Sequence, residues 1–226
     1  MTRSVLFDTE TTGLDPLHGD RVIEIAALEL INDLPTGESF HCVIDPQRDI
    51  PSEASRIHGF SNADVQGKPL FAAVANDLLT FFGDSPLVAH NAPFDFGFLD
   101  AEFSRVGHPR LDRARMIDTL ALAKTRYPGM PNSLDALCRR LGIDLSARTT
   151  HNALLDCKLL AEVYVELTGG RQRGFSLAAD AETELTGITY APLGPRTPRP
   201  IVLSDDALAA HAAFVARLKD PVWQTE

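Results

Sequence analysis

The sequence predicts an α/β protein with one mixed sheet, helices on both faces of the sheet, and a C-terminal tail. Three observations support this prediction. Apolar strands come first and are joined by turn residues, helices and strands alternate after them, and the composition changes after residue 170. With 226 residues and 44% hydrophobic content, the chain can bury a substantial core.

The first part of the chain contains three predicted strands. Residues 4–8 (SVLFD) are typical of a buried strand that ends in polar residues. Residues 21–31 are rich in Ile, Leu and Val and predict a second strand, and residues 39–44 predict a third. The intervening segment 32–38 (NDLPTGE) is typical of a turn. We therefore expect a run of hairpin strands at the start of the sheet.

Helices and strands alternate in the next part of the chain. A helix with Pro69 at its first position precedes a short strand at 87–90, and Asn91 and Pro93 then cap and start a helix that ends near Gly107. The remaining predicted elements are an edge strand at 115–119, a helix capped by Ser133 and stopped by Gly142, a helix capped by Thr149 or Thr150 and closed by Gly169 and Gly170, and a short helix within 204–219.

The composition divides the chain into residues 1–170 and a tail of residues 171–226. The tail has six basic and seven acidic residues, a proline-rich stretch at 191–200 and the short helix mentioned above. Such a segment cannot bury much apolar surface by itself. We therefore expect a linker and a docking element rather than a second core.

Charge and cysteine content restrict the class of protein. The net charge of −10 lacks the basic footprint of a simple DNA-binding module, although a basic stretch from Arg105 to Arg115 is either a solvated loop or a phosphate contact. No signal peptide or membrane-length apolar run is visible. Cys42, Cys138 and Cys157 show neither disulfide nor zinc spacing, which indicates a reduced, cytoplasmic protein.

Five residues in three short stretches carry the chemistry. They are Asp8 and Glu10 in VLFDTETTG, Asp95 in AHNAPFDFGF, and His151 with Asp156 in THNALLDCK. Buried carboxylates need a neutralising cation, and nothing basic stands nearby in the sequence. Divalent ions such as Mg²⁺ or Mn²⁺ suit an oxygen-rich site, and a histidine beside carboxylates suits a general base. Each element alone also fits a turn or a helix cap, but the combination predicts metal-assisted phosphoryl chemistry.

The three stretches together resemble the DEDDh family of 3′–5′ exonucleases, whose motifs correspond to DTE, NAPFD and HNALLD in this order. The similarity also includes RVIEIAALEL, the IHG at 57–59, HNAPFDFGFLDAEF and LTGG, and it covers about residues 4–170. This resemblance implies a ribonuclease H-like fold. Within the family, the chain is similar to the branch that proofreads DNA for bacterial DNA polymerase III.

The resemblance also implies roles for individual residues. Asp8, Glu10 and Asp156 would bind two divalent ions directly, Asp95 would hold the second ion through water, and His151 would take a proton from the attacking water. The substrate contacts that the family implies are Asp8, Glu10, Thr11, Thr12, Glu53, His58 and Asp156.

Two of these substrate residues, and two phenylalanines near Asp95, can also be explained by the fold alone. Glu53 is also typical of a helix-start acid, and His58 of a turn residue before a glycine. Phe94 and Phe98 fit the core better than a base-stacking surface.

The tail suggests partner proteins. Gln172, Phe175 and Leu177 loosely match the short motif that docks proteins on the bacterial sliding clamp, although they could instead anchor the tail on the rest of the chain. Residues 200–218 resemble the segment that binds the alpha (polymerase) subunit of DNA polymerase III, or a helix folded back on its own chain. The family therefore implies single-stranded or frayed DNA 3′ ends, the alpha subunit, a theta-like subunit and the clamp as partners.

Two other functions fit parts of the sequence. The first is a free-standing exonuclease of the same family that acts on RNA or short oligonucleotides. The second is a non-catalytic scaffold for a polymerase, which would be expected if one of the five residues were missing. All five are present.

Overall fold

The computed structural model describes residues 2–148, 150–169 and 202–219. The chain divides into two compact units, residues 1–176 and residues 177–226. Among the described residues, the first unit contains five strands and seven α-helices, and the second contains one helix. None of the described helices is long and apolar enough to cross a membrane.

The sheet is mixed, as the sequence predicts. Its strands are β1 (Arg3–Thr11), β2 (Val22–Ile31), β3 (Leu34–Val43), β4 (Leu87–Ala89) and β5 (Met116–Asp118), in the spatial order β3-β2-β1-β4-β5. The pairs β1–β2 and β2–β3 are antiparallel, whereas β4 pairs in parallel with β1 and β5 pairs in parallel with β4. The prediction of an edge strand at 115–119 is confirmed by β5.

The helices of the first unit are α1 (Ser52–His58), α2 (Asn62–Val65), α3 (Phe71–Phe82), α4 (Ala92–Arg105), α5 (Thr119–Arg126), α6 (Leu134–Leu141) and α7 (Ala153–Leu167). The second unit contains α8 (Asp205–Val215), capped by the Ser204 side chain, which confirms the short helix predicted in the tail. Helices α1 and α2 are too short to show an apolar period, and the sequence indicated only the start of α1, through Glu53 as a helix-start acid, which α1 confirms.

Alternate residues of β1 face two separate cores. Val5 and Phe7 pack with residues of α3 and α4, including Phe82 and Phe96. Leu6 lies in the other core, which α5, α6 and α7 cover. Because β1 is the central strand, its last residues lie between the two helical layers.

The hairpin turn between β2 and β3 is shorter than predicted. Only Asn32 and Asp33 form it, with φ of 52° and 67°, and residues 34–38 belong to β3. Asn and Asp tolerate this left-handed conformation, which a two-residue hairpin requires. Pro35 and Gly37 made the segment resemble a turn, but β3 is an edge strand, where both residues are tolerated.

Two predicted helix starts before α6 need correction. Pro69 lies before α3 rather than at its first position, and Leu70 is the residue that precedes the helix. Asn91 precedes α4 but makes no side-chain cap, because Asp118 Oδ1 accepts the N–H groups of Asn91 and Ala92 instead. The predicted cap by Ser133 and stop at Gly142 of α6 are confirmed.

The predicted cap of α7 is also wrong. The Asn152 side chain caps this helix by accepting the Leu155 N–H at 3.0 Å, and Thr150 lies outside it. Thr149 and Gly170 lie outside the described residues. The helix starts later than predicted because a buried glutamate of β2, described below, fixes its first residues.

Several arginines of the basic stretch serve the fold. Arg113 donates to Asp100 at 2.7 Å and lies over the Phe96 ring at 5.0 Å. Arg115 donates to the Ser85 carbonyl at 2.9 Å. These contacts favour a structural role over a phosphate contact for both residues. The three cysteines are free, and Cys138 and Cys157 are buried, as expected of small apolar residues.

Candidate active site

The first two carboxylates lie at the end of the central strand. Asp8 and Glu10 are two residues apart on β1 and project toward the α7 side of the sheet. Glu10 is 8% exposed and lies opposite Glu24 of β2. The strand register thus places both acids at the point where the two helical layers meet.

Asp95 reaches the same point from the other layer. It lies in the first turn of α4, which directly follows β4, the parallel neighbour of β1. Its Oδ1 accepts the Thr9 N–H at 3.1 Å and the Thr9 hydroxyl at 2.7 Å. These two bonds hold a carboxylate that is only 2% exposed.

The beginning of α7 supplies the last two residues. His151 lies just before the helix, where its N–H donates to the Ile57 carbonyl at 3.0 Å, and Asp156 lies in the first turn. One ligand atom each of Glu10, His151 and Asp156 lies within 4.8 Å of the others. The structure therefore brings the five predicted residues together from three distant segments.

Burial and mutual repulsion change the acidity of this cluster. Burial is the main cause that raises the pKa of Asp8 well above its ordinary value, and the charges of Asp95 and Glu10 add to it. Burial, followed by the Asp156 charge, raises the pKa of Glu10 to about 8. Burial also raises the pKa of Asp95 to about 7, although the Thr9 hydrogen bonds oppose this. A bound cation would stabilise the ionised form of all three.

A cation does stand near the carboxylates, contrary to the argument from the sequence. Arg148 lies three residues before His151, and its guanidinium donates to both oxygens of Asp156, at 2.6 and 2.8 Å. It also contacts His151 and Asp135. The sequence carried a signal for it, since an arginine this close to the third motif could have been tested as a member of the site.

Glu24 is a second residue that sequence reasoning missed. It is fully buried, and its carboxylate accepts the Ala153 N–H at 2.9 Å and the Asn152 side-chain N–H at 3.0 Å. His41 Nε2 lies 2.7 Å from it on the other side. Glu24 thus fixes the first residues of α7, and with them His151 and Asp156. In the sequence, Glu24 lies within the predicted strand 21–31, and nothing in the local pattern distinguishes it from an ordinary strand residue.

The five residues line a cavity of about 700 Å³. The four other predicted substrate residues, Thr11, Thr12, Glu53 and His58, also line it. Both threonine hydroxyls bond within their own loop, Thr11 to the Gly13 carbonyl and Thr12 to Asp20. Their contribution to the cavity is therefore the shape of its wall.

His58 and Glu53 differ in how firmly they are held. His58 is 5% exposed, and its Nδ1 accepts the Phe60 N–H at 3.1 Å. No hydrogen bond to its Nε2 is found in the part of the chain that the structure describes. The Glu53 side chain is 76% exposed and pairs with Arg56 at 3.1 Å. His58 is thus a fixed part of the cavity wall, and Glu53 is an exposed acid at its rim.

Apolar side chains form another part of the cavity wall. Leu14 and Ile57 line the cavity and remain 82% and 52% exposed. Phe94 also lines it, whereas Phe98 is buried behind it with the two rings 4.9 Å apart. The expected core position is therefore right for Phe98, but Phe94 belongs to the cavity wall.

The residues proposed for clamp docking cannot be placed. Gln172, Phe175 and Leu177 lie outside the described residues.

Comparison with known proteins shows similarity to nucleases. The exonuclease family model matches residues 5–164. The DNA polymerase III subunit epsilon of Rickettsia typhi is 46% identical over 222 residues, which cover 96% of each chain. The subunit of the same name from Escherichia coli K12 is 38% identical over 223 residues, which cover 94% of this chain and 92% of the relative.

Solved structures agree with this comparison. Exonuclease X in complex with 5′-overhanging duplex DNA superposes with a TM-score of 0.57 and 27% identity, covering 74% of this chain and 91% of that one. An E. coli exonuclease I–single-stranded DNA complex superposes with a TM-score of 0.65 over 76% of this chain and 41% of that one; at 21% identity it supports the fold alone. The predicted ribonuclease H-like fold is thereby confirmed.

Proposed function

The chain belongs to the exonuclease family and, within it, to the DNA polymerase III epsilon subunits, and we propose that its cavity hydrolyses the 3′-terminal phosphodiester bond of DNA. The product of each step is a nucleoside 5′-monophosphate, and the biological role is proofreading during replication. The observation that carries this proposal is the convergence of four carboxylates and one histidine in a single cavity.

The residues of the cavity fit divalent metal ions. Burial is the main cause that raises the pKa of three of the carboxylates, so their ionised form is favourable only with a cation beside it. Carboxylate oxygens are the ligands that Mg²⁺ and Mn²⁺ prefer. Asp8, Glu10 and Asp156 would hold two ions directly, and Asp95 would hold the second through water. Ions bound there would activate the attacking water and stabilise the leaving oxygen.

His151 is the proposed general base. Burial and the neighbouring Arg148 charge lower the pKa of its ring, so the neutral form that can accept a proton predominates at neutral pH. Its side chain is 49% exposed, which allows water and the DNA end to reach it. The bond from its backbone N–H to Ile57 fixes its position at the cavity.

The remaining wall of the cavity suits a terminal nucleotide. Leu14, Ile57 and Phe94 offer apolar surface to the base, and the buried His58 ring forms a rigid part of the wall. An unpaired end enters such a cavity at lower cost than a paired one, because less stacking and pairing energy is lost. This preference for frayed ends would produce proofreading.

The proposed partners follow from the relatives and from the tail. We propose that α8 and its flanking residues bind the alpha subunit of DNA polymerase III, since Leu208 and Phe214 of this helix are 49% and 58% exposed. Clamp docking through residues 172–177 and contact with a theta-like subunit remain proposals that rest on the family. We also propose that the protein acts in the bacterial cytoplasm, since its relatives are bacterial DNA polymerase III subunits.

An end-labelling experiment tests the proposed reaction. A single DNA strand with a 5′ label should shorten stepwise with Mg²⁺ and remain intact with a chelator, while a 3′-labelled strand should lose its label as a mononucleotide. A matched RNA strand tests the free-standing RNA enzyme. Faster shortening of RNA than of DNA would replace DNA as the substrate, and no shortening of either strand would reject the proposed reaction.

A further inference from the structure

Arg148 is a mostly buried arginine whose guanidinium contacts the active site. Its side chain is 9% exposed, and each of its donor groups points at a residue of the cavity. Nε and Nη2 donate to Asp156, Nη1 donates to Asp135, and Nη2 also lies 3.0 Å from His151 Nδ1. Among the described residues, it is the one arginine whose guanidinium contacts a proposed metal ligand.

These contacts compete with a divalent ion. Both oxygens of Asp156 already accept from Arg148, and a positive charge at this distance repels an incoming cation by a large electrostatic energy in a partly buried site. The same guanidinium Nη2 lies 3.0 Å from Nδ1 and 3.4 Å from Nε2 of His151. While the ring nitrogen that carries the lone pair accepts this donor, it cannot accept a proton from water.

We propose that Arg148 is a positioning residue that serves as the internal counter-cation of the site, holding Asp156 and His151 in place until divalent ions displace it from Asp156. This inference rests on the proposed function, because it requires Asp156 to be a metal ligand. It has two consequences: Arg148 lowers the affinity of the site for metal, and metal loading releases His151 for its role as base.

A purely structural ion pair would behave differently. Arg139 provides the comparison. It pairs with the same Asp135 at a distance of 3.7 Å, and the Arg139 side chain is 73% exposed. It makes no contact with Asp156 or His151 among the described contacts. Removing Arg139 therefore removes one positive charge beside the same Asp135 without uncovering a metal ligand.

Calorimetric titration of the full-length, metal-free protein with Mn²⁺, without DNA, tests the proposal. Arg148→Met should bind Mn²⁺ at least about tenfold more tightly than the wild type, because a competing charge has been removed. Arg148→Lys keeps the charge but cannot form the two-bond contact, so its affinity should fall between the two. Arg139→Met should bind Mn²⁺ like the wild type.

Thermal unfolding separates this role from a structural one. Without metal, Arg148→Met should melt at a lower temperature than the wild type, and saturating Mn²⁺ should raise its melting temperature more than that of the wild type. A structural ion pair predicts an equal loss in both conditions.

The outcomes that overturn the proposal are distinct. If the wild type binds Mn²⁺ and Arg148→Met binds it equally or more weakly, Arg148 is not a counter-cation, although the proposed function stands. If Arg148→Met does not fold without metal, Arg148→Lys decides, and equal or weaker binding by that variant has the same meaning. If the wild type binds no Mn²⁺, the metal site of the proposed function fails, and this inference fails with it.

Discussion

Individual residues of this site have different roles because their surroundings differ. Thr9 supports Asp95 with two hydrogen bonds, and Arg148 supports Asp156 with two others. The pKa of Glu10, in contrast, is raised to about 8 by burial and by the Asp156 charge. A substitution at each position should therefore produce a different combination of effects on activity, metal affinity and stability.

The role of His151 as general base predicts a loss of rate without a loss of metal. His151→Ala should lower turnover on a 5′-labelled DNA strand by at least about 100-fold, the lower end for general acid–base catalysis. Mn²⁺ affinity should change little, because all four carboxylates of the site remain. His18→Ala is the matched control, since that histidine is 86% exposed and pairs with Asp15. Near-normal turnover of His151→Ala would remove this residue from the mechanism.

The raised pKa of Glu10 predicts how the metal-free protein responds to pH. Between the ordinary value of 4.5 and about 8, the folded chain keeps a proton that the unfolded chain releases. Stability of the metal-free protein should therefore fall as pH rises through this range, and Asp8 and Asp95 should act in the same direction.

Melting temperatures measured in a chelator from pH 5 to pH 8 check this expectation. Glu10→Gln should reduce the decline, because one of the titrating groups is gone, and Mn²⁺ should reduce it in the wild type. A melting temperature that rises over this range, or a slope that Glu10→Gln leaves unchanged, would show that these carboxylates are not strained by burial.

At the level of secondary-structure elements, the site depends on where two helices begin. Asp118 of β5 holds the start of α4, and Glu24 of β2 holds the start of α7. In each case a carboxylate of the sheet accepts the first N–H groups of a helix, which also favours the positive end of the helix dipole. The sheet thus fixes the helix starts that carry Asp95, His151 and Asp156.

Loss of the Glu24 carboxylate should therefore affect both stability and catalysis. Glu24→Gln should cost about 1–3 kcal/mol in the free energy of unfolding, because a buried donor would face the N–H groups of α7. Turnover should fall as well, since the start of α7 positions His151. Urea unfolding and the DNA assay measure the two effects.

Glu29→Gln is the control for Glu24→Gln on the same strand. Glu29 pairs with Arg3 near the surface, at 2.6 Å, and its loss should cost no more than about 1 kcal/mol and leave turnover unchanged. Equal effects of the two substitutions would show that Glu24 has no special role in placing α7.

The sequence predicted most of this arrangement where local chemistry decides it. Apolar pattern, capping and motif order are local properties of the chain. They allowed us to recognise the strand at 4–8, the cap at Ser133 and the five motif residues. The start of α7 and the roles of Glu24 and Arg148 were not legible, because contacts between distant segments decide them. The hairpin turn was misjudged because Pro35 and Gly37 have another meaning in an edge strand.

At the scale of the whole molecule, the two units predict separable functions. A chain that ends at residue 176 should keep nuclease turnover on short single-stranded DNA within about twofold, because the site lies in the first unit. It should lose binding to the alpha subunit of DNA polymerase III. Biosensor binding and the DNA assay test both statements.

A substitution in the intact chain sharpens this test. Leu208→Asp should weaken binding to the alpha subunit, since Leu208 is an exposed apolar residue of α8. Ala209→Asp is the control, because it adds the same charge at a neighbouring position without removing a large apolar side chain. Full alpha binding by the shortened chain would locate the docking surface in the first unit instead.

The central claim is that the carboxylate cluster hydrolyses DNA from the 3′ end with divalent metal. The most direct measurement follows a 5′-labelled DNA strand over time with Mg²⁺, comparing the wild type with Asp8→Asn, whose folding is checked by circular dichroism. The wild type should produce a ladder of products shortened from the 3′ end, and the folded variant should leave the strand intact. Shortening by Asp8→Asn at the wild-type rate would contradict the assigned site.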